Sequence, residues 1–472
     1  MNSATDGTVS QQRSWYTLAI SRLICHMLNW IKRRIGSKKS QALKIVRHTY
    51  GPNQHAISDH MMSANALRVI EKLADAGFEA YIVGGGVRDS LLGMRPKDFD
   101  VATSATPEQV RNVFRNSRII GRRFRIVHVV FGRDIIEVTT FRGHHDNASG
   151  KEAQAAKSGM LIRDNVYGTL EEDAIRRDFT VNALYYDLNG NVLDFTDGMD
   201  DIKQRRLRII GDPVTRYRED PVRMLRAVRL AAKLDFEIDQ PTREPIAELA
   251  GLLSDISSSR LFDESLKLFL GGAALATYEL LRAEGLFGIL FPATAKALAR
   301  EPAYENLIRQ ALINTDERIH KGLRVTPAFL FAAFLWPALQ QRTQDYVNRG
   351  SSPYQAQQDA ASRVITEQIR TIAIPKRFTQ PMQEIWQLQQ HLPRRSPARA
   401  QRLLEHPRFR AAYDFVLLRE QAGENLDGLG EWWTKYQEAN PIDREALLQN
   451  APPAEGAARR RPRKRRAPKT DV

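Results

Sequence analysis

Apolar residues recur along this chain with two different periods, and the change from one to the other divides it. From Met61 to about Ile202, short apolar runs alternate with helical stretches. Residues 64–76 repeat apolar positions at helical spacing and stop at Gly77, a helix with its terminator. Residues 80–83, 99–102, 125–131, 135–140 and 183–187 read as strands. The stretch 148–159 is small and polar and is expected to be a mobile loop. Beyond about Lys203 the strand signal fades, and helical patterns take over, clearest over 227–232 and 261–270. The expected fold class is α+β: a mixed-sheet head over 61–202, a helical neck over 203–292 and a helical body over 293–450.

The two ends carry other patterns. Residues 15–35 are apolar but are broken by Arg22, His26 and Asn29 and closed by Lys32-Arg33-Arg34, too interrupted for a membrane span. Ile20, Leu23, Ile24, Met27, Trp30 and Ile31 share one helical face. The segment 1–60 is therefore expected to hold a basic amphipathic helix, suited to peripheral membrane contact or to docking on the protein's own body, and a linker over 37–52. No small-residue cleavage site follows, so no cleavable signal is expected. The other end, 451–472, has prolines and no apolar face and is expected to be disordered.

Two aspartates stand one residue apart in Lys97-Asp98-Phe99-Asp100-Val101, a short distance after Gly84-Gly85-Gly86-Val87-Arg88-Asp89. On a strand, side chains at i and i+2 leave the same face, so Asp98 and Asp100 would aim at one spot while Phe99 turns into the core. Two carboxylates so placed repel unless a cation sits between them, and Mg²⁺ prefers such oxygens. Gly84, Gly85 and Gly86 lie where a buried strand passes into a helix, a junction that lets main-chain N–H groups approach phosphate oxygens. An acidic metal dyad beside a phosphate cradle points to phosphoryl or nucleotidyl transfer. Arg88 can pair with a triphosphate oxygen, with Asp89 orienting it or capping the helix.

Charge narrows the partner. The 472 residues carry a net charge of +15, which favours polyanions, nucleic acid first. Arg459, Arg460, Arg461, Arg463, Lys464, Arg465, Arg466 and Lys469 face only Asp471, a tail suited to sequence-blind, salt-sensitive RNA contact. Arg394, Arg395, Arg399, Arg402, Arg408 and Arg410 form a second basic region, also expected to meet RNA. Trp432, Trp433 and Tyr436 suit either a core or base stacking, and the sequence does not choose. The single cysteine, Cys25, excludes an intramolecular disulfide and a cysteine-built zinc site, and fits a reducing cytoplasm. His144-His145-Asp146 lacks partner histidines and reads as a solvated loop.

Two further constellations carry a resemblance: Arg176-Arg177-Asp178-Phe179-Thr180-Val181-Asn182-Ala183-Leu184, and Arg218-Glu219-Asp220-Pro221-Val222-Arg223-Met224-Leu225-Arg226-Ala227-Val228-Arg229. With the glycines and the aspartate pair, they make residues 64–292 resemble a class II nucleotidyltransferase of the DNA polymerase beta superfamily, which holds bacterial poly(A) polymerases and tRNA CCA-adding enzymes. The stretch 119–129, with Gly121-Arg122-Arg123-Phe124, resembles the poly(A) polymerase branch.

The resemblance implies template-independent extension of RNA 3′ ends from ATP with two Mg²⁺ ions held by Asp98 and Asp100; CCA addition from CTP and ATP is the alternative. It implies a role for Asp178 as the third acidic residue, while Glu137, which shares the inward alternation of its strand, is the rival as metal ligand. Asn182 is expected near the ribose or the metal loop. Glu219-Asp220-Pro221-Val222-Arg223 matches the element that presents hydrogen bonds to the incoming base in related enzymes. Asp220 and Arg223, at i and i+3, can pair, although Asp-Pro is also an ordinary helix cap and first-turn pair. Arg226 and Arg229 continue that stripe and are expected to meet RNA phosphates. RNA chaperones or RNA-degradation proteins are partners the resemblance suggests.

Overall fold

A computed structural model describes residues 46–121, 125–143, 153–155, 161–164 and 166–449. The amphipathic segment at 15–35, Arg122-Arg123-Phe124, His144-His145-Asp146 and the basic tail from Arg459 to Lys469 lie outside the described residues. The head is one eight-stranded mixed sheet. Its strands are β1 (His48–Tyr50), β2 (Ala80–Val83), β3 (Asp100–Thr103), β4 (Ser117–Ile120), β5 (Ile126–Phe131), β6 (Asp134–Thr140), β9 (Leu184–Tyr186) and β10 (Val192–Asp194), in the order β1-β10-β9-β2-β3-β6-β5-β4. Only β3 and β6 run parallel. A separate antiparallel pair, β7 (Ala153–Ala155) with β8 (Leu161–Asp164), puts strand where a mobile loop was expected over 148–159.

β6 shows why the pattern folds this way. Ile136, Val138 and Thr140 are buried while Asp134, Ile135 and Glu137 are exposed, the period-2 alternation of a strand with one covered face. Helix α1 (Ala64–Asp75) covers that face with Ala66, Val69, Ile70 and Leu73, and its cap Ser63 accepts from the Ala66 N–H. Gly77 follows at φ +85°, the left-handed turn that ends the helix. Helix α2 (Gly85–Leu91) leaves β2, and α3 (Pro107–Val113) and α4 (Leu170–Arg176) complete the head. The linker expected over 37–52 is cut short, because β1 within it closes the sheet edge beyond β10.

After α5 (Gly198–Lys203) the chain turns helical. Helices α6 (Pro213–Glu219) and α7 (Val222–Leu234) form the neck, and the long helices Pro327–Asn348, Pro353–Thr371 and Lys376–His391 dominate the body. The boundary expected near 292 is not a break in packing. One apolar cluster runs from Phe179 and Val181 in the head through Val222 and Leu225 of α7 to Phe334, Trp386 and Phe415 in the body. Trp432, Trp433 and Tyr436 belong to a smaller buried cluster with Phe409 and Tyr413, so they are core and not a stacking platform. Among the described residues, no helix is long and apolar enough to cross a membrane.

Candidate active site

Backbone register assembles the site. Val83, the last residue of β2, pairs with Asp100, the first of β3, and Asp100 pairs in turn with Glu137 of β6. Neighbouring strands lie about 4.8 Å apart, so the Asp100 and Glu137 side chains stand side by side at the point where β2 gives way to the glycines. Asp98 precedes the strand and is exposed, Phe99 is buried, and Asp100 is half-buried, the alternation expected of the pair. Gly84, at φ +78°, makes the turn, and a Cβ there would lie 3.9 Å from Asp100 Oδ2 and 3.6 Å from an Arg177 guanidinium nitrogen. Acids and glycine corner are therefore neighbours.

The carboxylates press on one another. Burial, then the charges of Glu137 and Asp98, push the Asp100 carboxyl up to about 6, against the opposing pull of Arg177. Glu137 is half-exposed, and one of its oxygens is 3.2 Å from His128 Nε2. Among the described residues no three His, Cys, Asp or Glu side chains converge into a closed metal cage. Mg²⁺ does not need one, since it keeps waters and takes one or two carboxylates plus substrate phosphates. Hard oxygen donors this close together, with the Asp100 carboxyl pushed up by burial and its neighbours, fit that ion.

Asp178 stands elsewhere. It accepts from the Phe179 N–H at 2.8 Å, from Asn182 Nδ2 at 3.0 Å and from Arg226 Nε at 2.8 Å, with a second Arg226 bond to the same oxygen. Burial alone would raise its pKa, but the Arg226 guanidinium and these bonds hold the carboxyl well below the usual carboxylate range. Its ion-pair partner is thus Arg226 of the neck, not the adjacent Arg176 or Arg177. The Arg226 guanidinium, expected at RNA phosphates, is engaged with a carboxylate of this chain instead. Arg229, one turn on, is half-buried: its Nε is covered, and burial and then Arg226 lower its pKa.

Asn182 ties this pair to the glycine corner, because its Oδ1 accepts from Arg88 while its amide donates to Asp178. Arg88 is buried and gives two bonds to Asp89 Oδ1, and Lys233 of α7 holds the other Asp89 oxygen at 3.1 Å. Asp89 therefore orients Arg88, and Arg88 is committed to protein partners. The Asp220–Arg223 pair is not formed either. Arg223 bonds Glu219 at 2.9 Å, and Asp220 is held by Arg260 at 2.7 Å. Asp220 sits at the junction of α6 and α7, its Oδ1 3.4 Å from the Val222 N–H, a long cap contact.

Three residues escaped the sequence. Arg177 lies half-buried under the corner, bonded to Asp173 and Tyr185. Arg216 donates to the carbonyls of Arg176 and Arg177, each at 2.6 Å, and fixes the loop before Asp178. Lys233 tethers Asp89. For Arg177 the signal was its place in the Arg-Arg-Asp motif; the other two had no local signal. Gly86 offers a direct test, because a Cβ there would meet Phe99 Cδ1 at 2.9 Å and the Asp98 carbonyl at 3.4 Å. Gly86→Ala is expected to displace the acids through Phe99 and lower kcat by about ten- to a hundredfold, with the unfolding midpoint little changed. Steady-state kinetics beside a thermal melt checks it.

With the geometry in hand, comparisons add a lineage. Residues 80–208 match the family model "Poly A polymerase head domain", 235–298 match "Probable RNA and SrmB- binding site of polymerase A", and 349–467 match "Polymerase A arginine-rich C-terminus". The chain is 47% identical to Poly(A) polymerase I of Salmonella typhimurium over 94% of its own length and 98% of the relative's. It is 49% identical to Poly(A) polymerase I of Haemophilus influenzae over 87% and 93%. Among solved structures, the CCA-adding enzyme of Bacillus stearothermophilus in complex with CTP superposes with a TM-score of 0.52 at 25% identity, covering 82% of each chain.

Proposed function

The chain belongs to the bacterial poly(A) polymerase family and is a polynucleotide adenylyltransferase, and from that premise we propose how its residues extend an RNA 3′ end with AMP from ATP, without a template. The observation that carries the reading is the register Val83–Asp100–Glu137, which sets two carboxylates against the glycine corner, with Asp98 two residues before the first of them. Mg²⁺ bound by Asp98 and Asp100, with Glu137 beside them, would lower the pKa of the attacking 3′-hydroxyl and neutralise the departing pyrophosphate.

The protein's own groups do the rest. Gly84, Gly85 and Gly86 let the triphosphate come close to the main chain, and a side chain at Gly84 would intrude beside Asp100. Arg177, half-buried and cationic below the turn, offsets phosphate charge there. Asn182 holds Arg88 on one side and Asp178 on the other, so the floor of the nucleotide site is fixed before ATP arrives. Base choice falls to the junction of α6 and α7, where Glu219, Asp220, Arg223 and Arg260 form an ordered set of donors and acceptors.

A second reading, CTP and ATP addition to tRNA, has the likeness to the CCA-adding enzyme in its favour. Purified protein incubated with generic RNA and one nucleotide at a time separates them. Long adenylate ladders with ATP and little product with CTP are expected; CTP use that stops after two additions would overturn the reading. A cytoplasmic site of action, contacts with RNA chaperones or degradation proteins, and membrane contact through residues 15–35 belong to the same proposal and rest on the resemblance and the sequence pattern.

A further inference from the structure

Two arginines adjacent in sequence have opposite fates in the body. Arg395 stacks over the Trp432 ring at 5.2 Å, its Nε is buried, and burial lowers its pKa. It packs against the edge of the C-terminal aromatic cluster, a protein contact where RNA contact was expected. Arg394 points the other way, into a cavity of about 490 Å³ between the helices Lys376–His391 and Pro397–Leu404. Arg399 and Arg402 line the same cavity, with His391 between them and Arg394.

The cavity is short of negative charge. Its one carboxylate, Glu384, is already taken by Arg408 at 2.9 Å and Gln380 at 3.1 Å. Arg402 donates its Nε only to the Ala398 carbonyl, and among the described residues neither Arg394 nor Arg399 has an ion pair. His391 lines the cavity with Arg394 and Arg399, and burial, then those two charges, lower its pKa. Cations gathered without counter-charge call for an anion.

An aromatic completes the arrangement. Tyr354 lies 6.3 Å from His391 between ring centroids and is 51% exposed, a large ring beside the cavity and open to solvent. Guanidinium groups in a groove beside an exposed aromatic are the two parts single-stranded nucleic acid needs: charge for the backbone and a flat surface for a base. We propose that this cavity is a second RNA site, taking one or two backbone phosphates of single-stranded RNA upstream of the growing end with a base on Tyr354. The proposal rests on RNA being the substrate, and its test keeps the two ideas apart.

The test measures binding of fluorescently labelled oligoadenylates of about 6 and about 20 nucleotides to the full chain, without ATP, over a range of salt. Wild-type protein is expected to bind the longer strand more tightly. Arg394→Ala/Arg399→Ala is expected to lose most of that length advantage, about tenfold. Its slope of log affinity against log salt should flatten by about 1.4, at roughly 0.7 per phosphate contact on a single strand. Tyr354→Ala should weaken the longer strand with the slope unchanged, and Tyr354→Phe should restore it, which separates stacking from charge.

Unchanged affinity and slope in the arginine double variant would overturn the proposal. So would an equal loss on both strands, which would put the contact at the 3′ end. Displacement of the longer strand by millimolar ATP or inorganic phosphate in wild type but not in the double variant would assign the cavity to small anions and overturn it too. Failure of wild-type protein to add AMP would instead sink the enzymatic reading and leave this binding result standing.

Discussion

Asp100→Asn is expected to end nucleotide incorporation, by at least about a hundredfold, while making the metal-free protein more resistant to unfolding at neutral pH. The first half follows from its place opposite both Val83 and Glu137. The second follows from charge. Burial and the neighbouring acids put the Asp100 carboxyl up to about 6 in the folded protein, above the ordinary aspartate value of about 4. A carboxyl that holds its proton more tightly when folded favours the native state below the unfolded pKa, and that advantage is lost as pH rises from about 4 to about 6. At neutral pH the ionised group is a standing cost of up to about 3 kcal/mol, which asparagine removes. Thermal melts in a chelator across pH 4 to 8 should therefore show the wild-type midpoint falling away from the variant's as pH rises, and added Mg²⁺ should stabilise wild type more than the variant. A variant that melts lower throughout and still extends RNA would sink this account of the site.

The second large effect concerns the other acid. Asp178→Ala is expected to destabilise the fold by about 1–3 kcal/mol, because it leaves the half-buried Arg226 guanidinium without its partner. Asp178→Ala combined with Arg226→Met should recover part of the loss, since the stranded charge goes with the arginine. The pH dependence has the opposite sign to that of Asp100. Asp178 is held well below the usual carboxylate range by Arg226, Asn182 and the Phe179 amide against the effect of burial. Its contribution is present above the unfolded pKa near 4 and is lost as pH falls further, so the variant should lack part of the acid-side stability loss of wild type. Urea unfolding at pH 7 and pH 3 checks both points. If the variant melts like wild type yet fails to turn over with Mg²⁺, Asp178 acts on the metal directly and the assignment to Arg226 is wrong.

What the sequence disclosed and what it hid differ by distance along the chain. The glycine corner, the Asp98–Asp100 alternation and the strand at 80–83 depend on neighbours within a few residues, so local spacing was enough. The choice between Glu137 and Asp178 was not local. Parallel pairing of β3 with β6 sets Glu137 beside Asp100, while Arg226 reaches Asp178 across 48 positions of sequence. Arginines were the least legible type. Arg394 and Arg395 share composition and neighbourhood, yet one lines a cavity and the other packs on Trp432. The short strands β1 and β10, three residues each, carry too few positions to show a period.

The unbroken apolar cluster from Phe179 to Phe415 bears on how a tail can grow. Close-packed interiors do not shear or swing without breaking contacts across their whole width. A jaw that opens and shuts between lobes at every cycle therefore has no natural joint along this seam. Lengthening of the tail is then expected to slide the strand along the body instead of hinging the body on the neck.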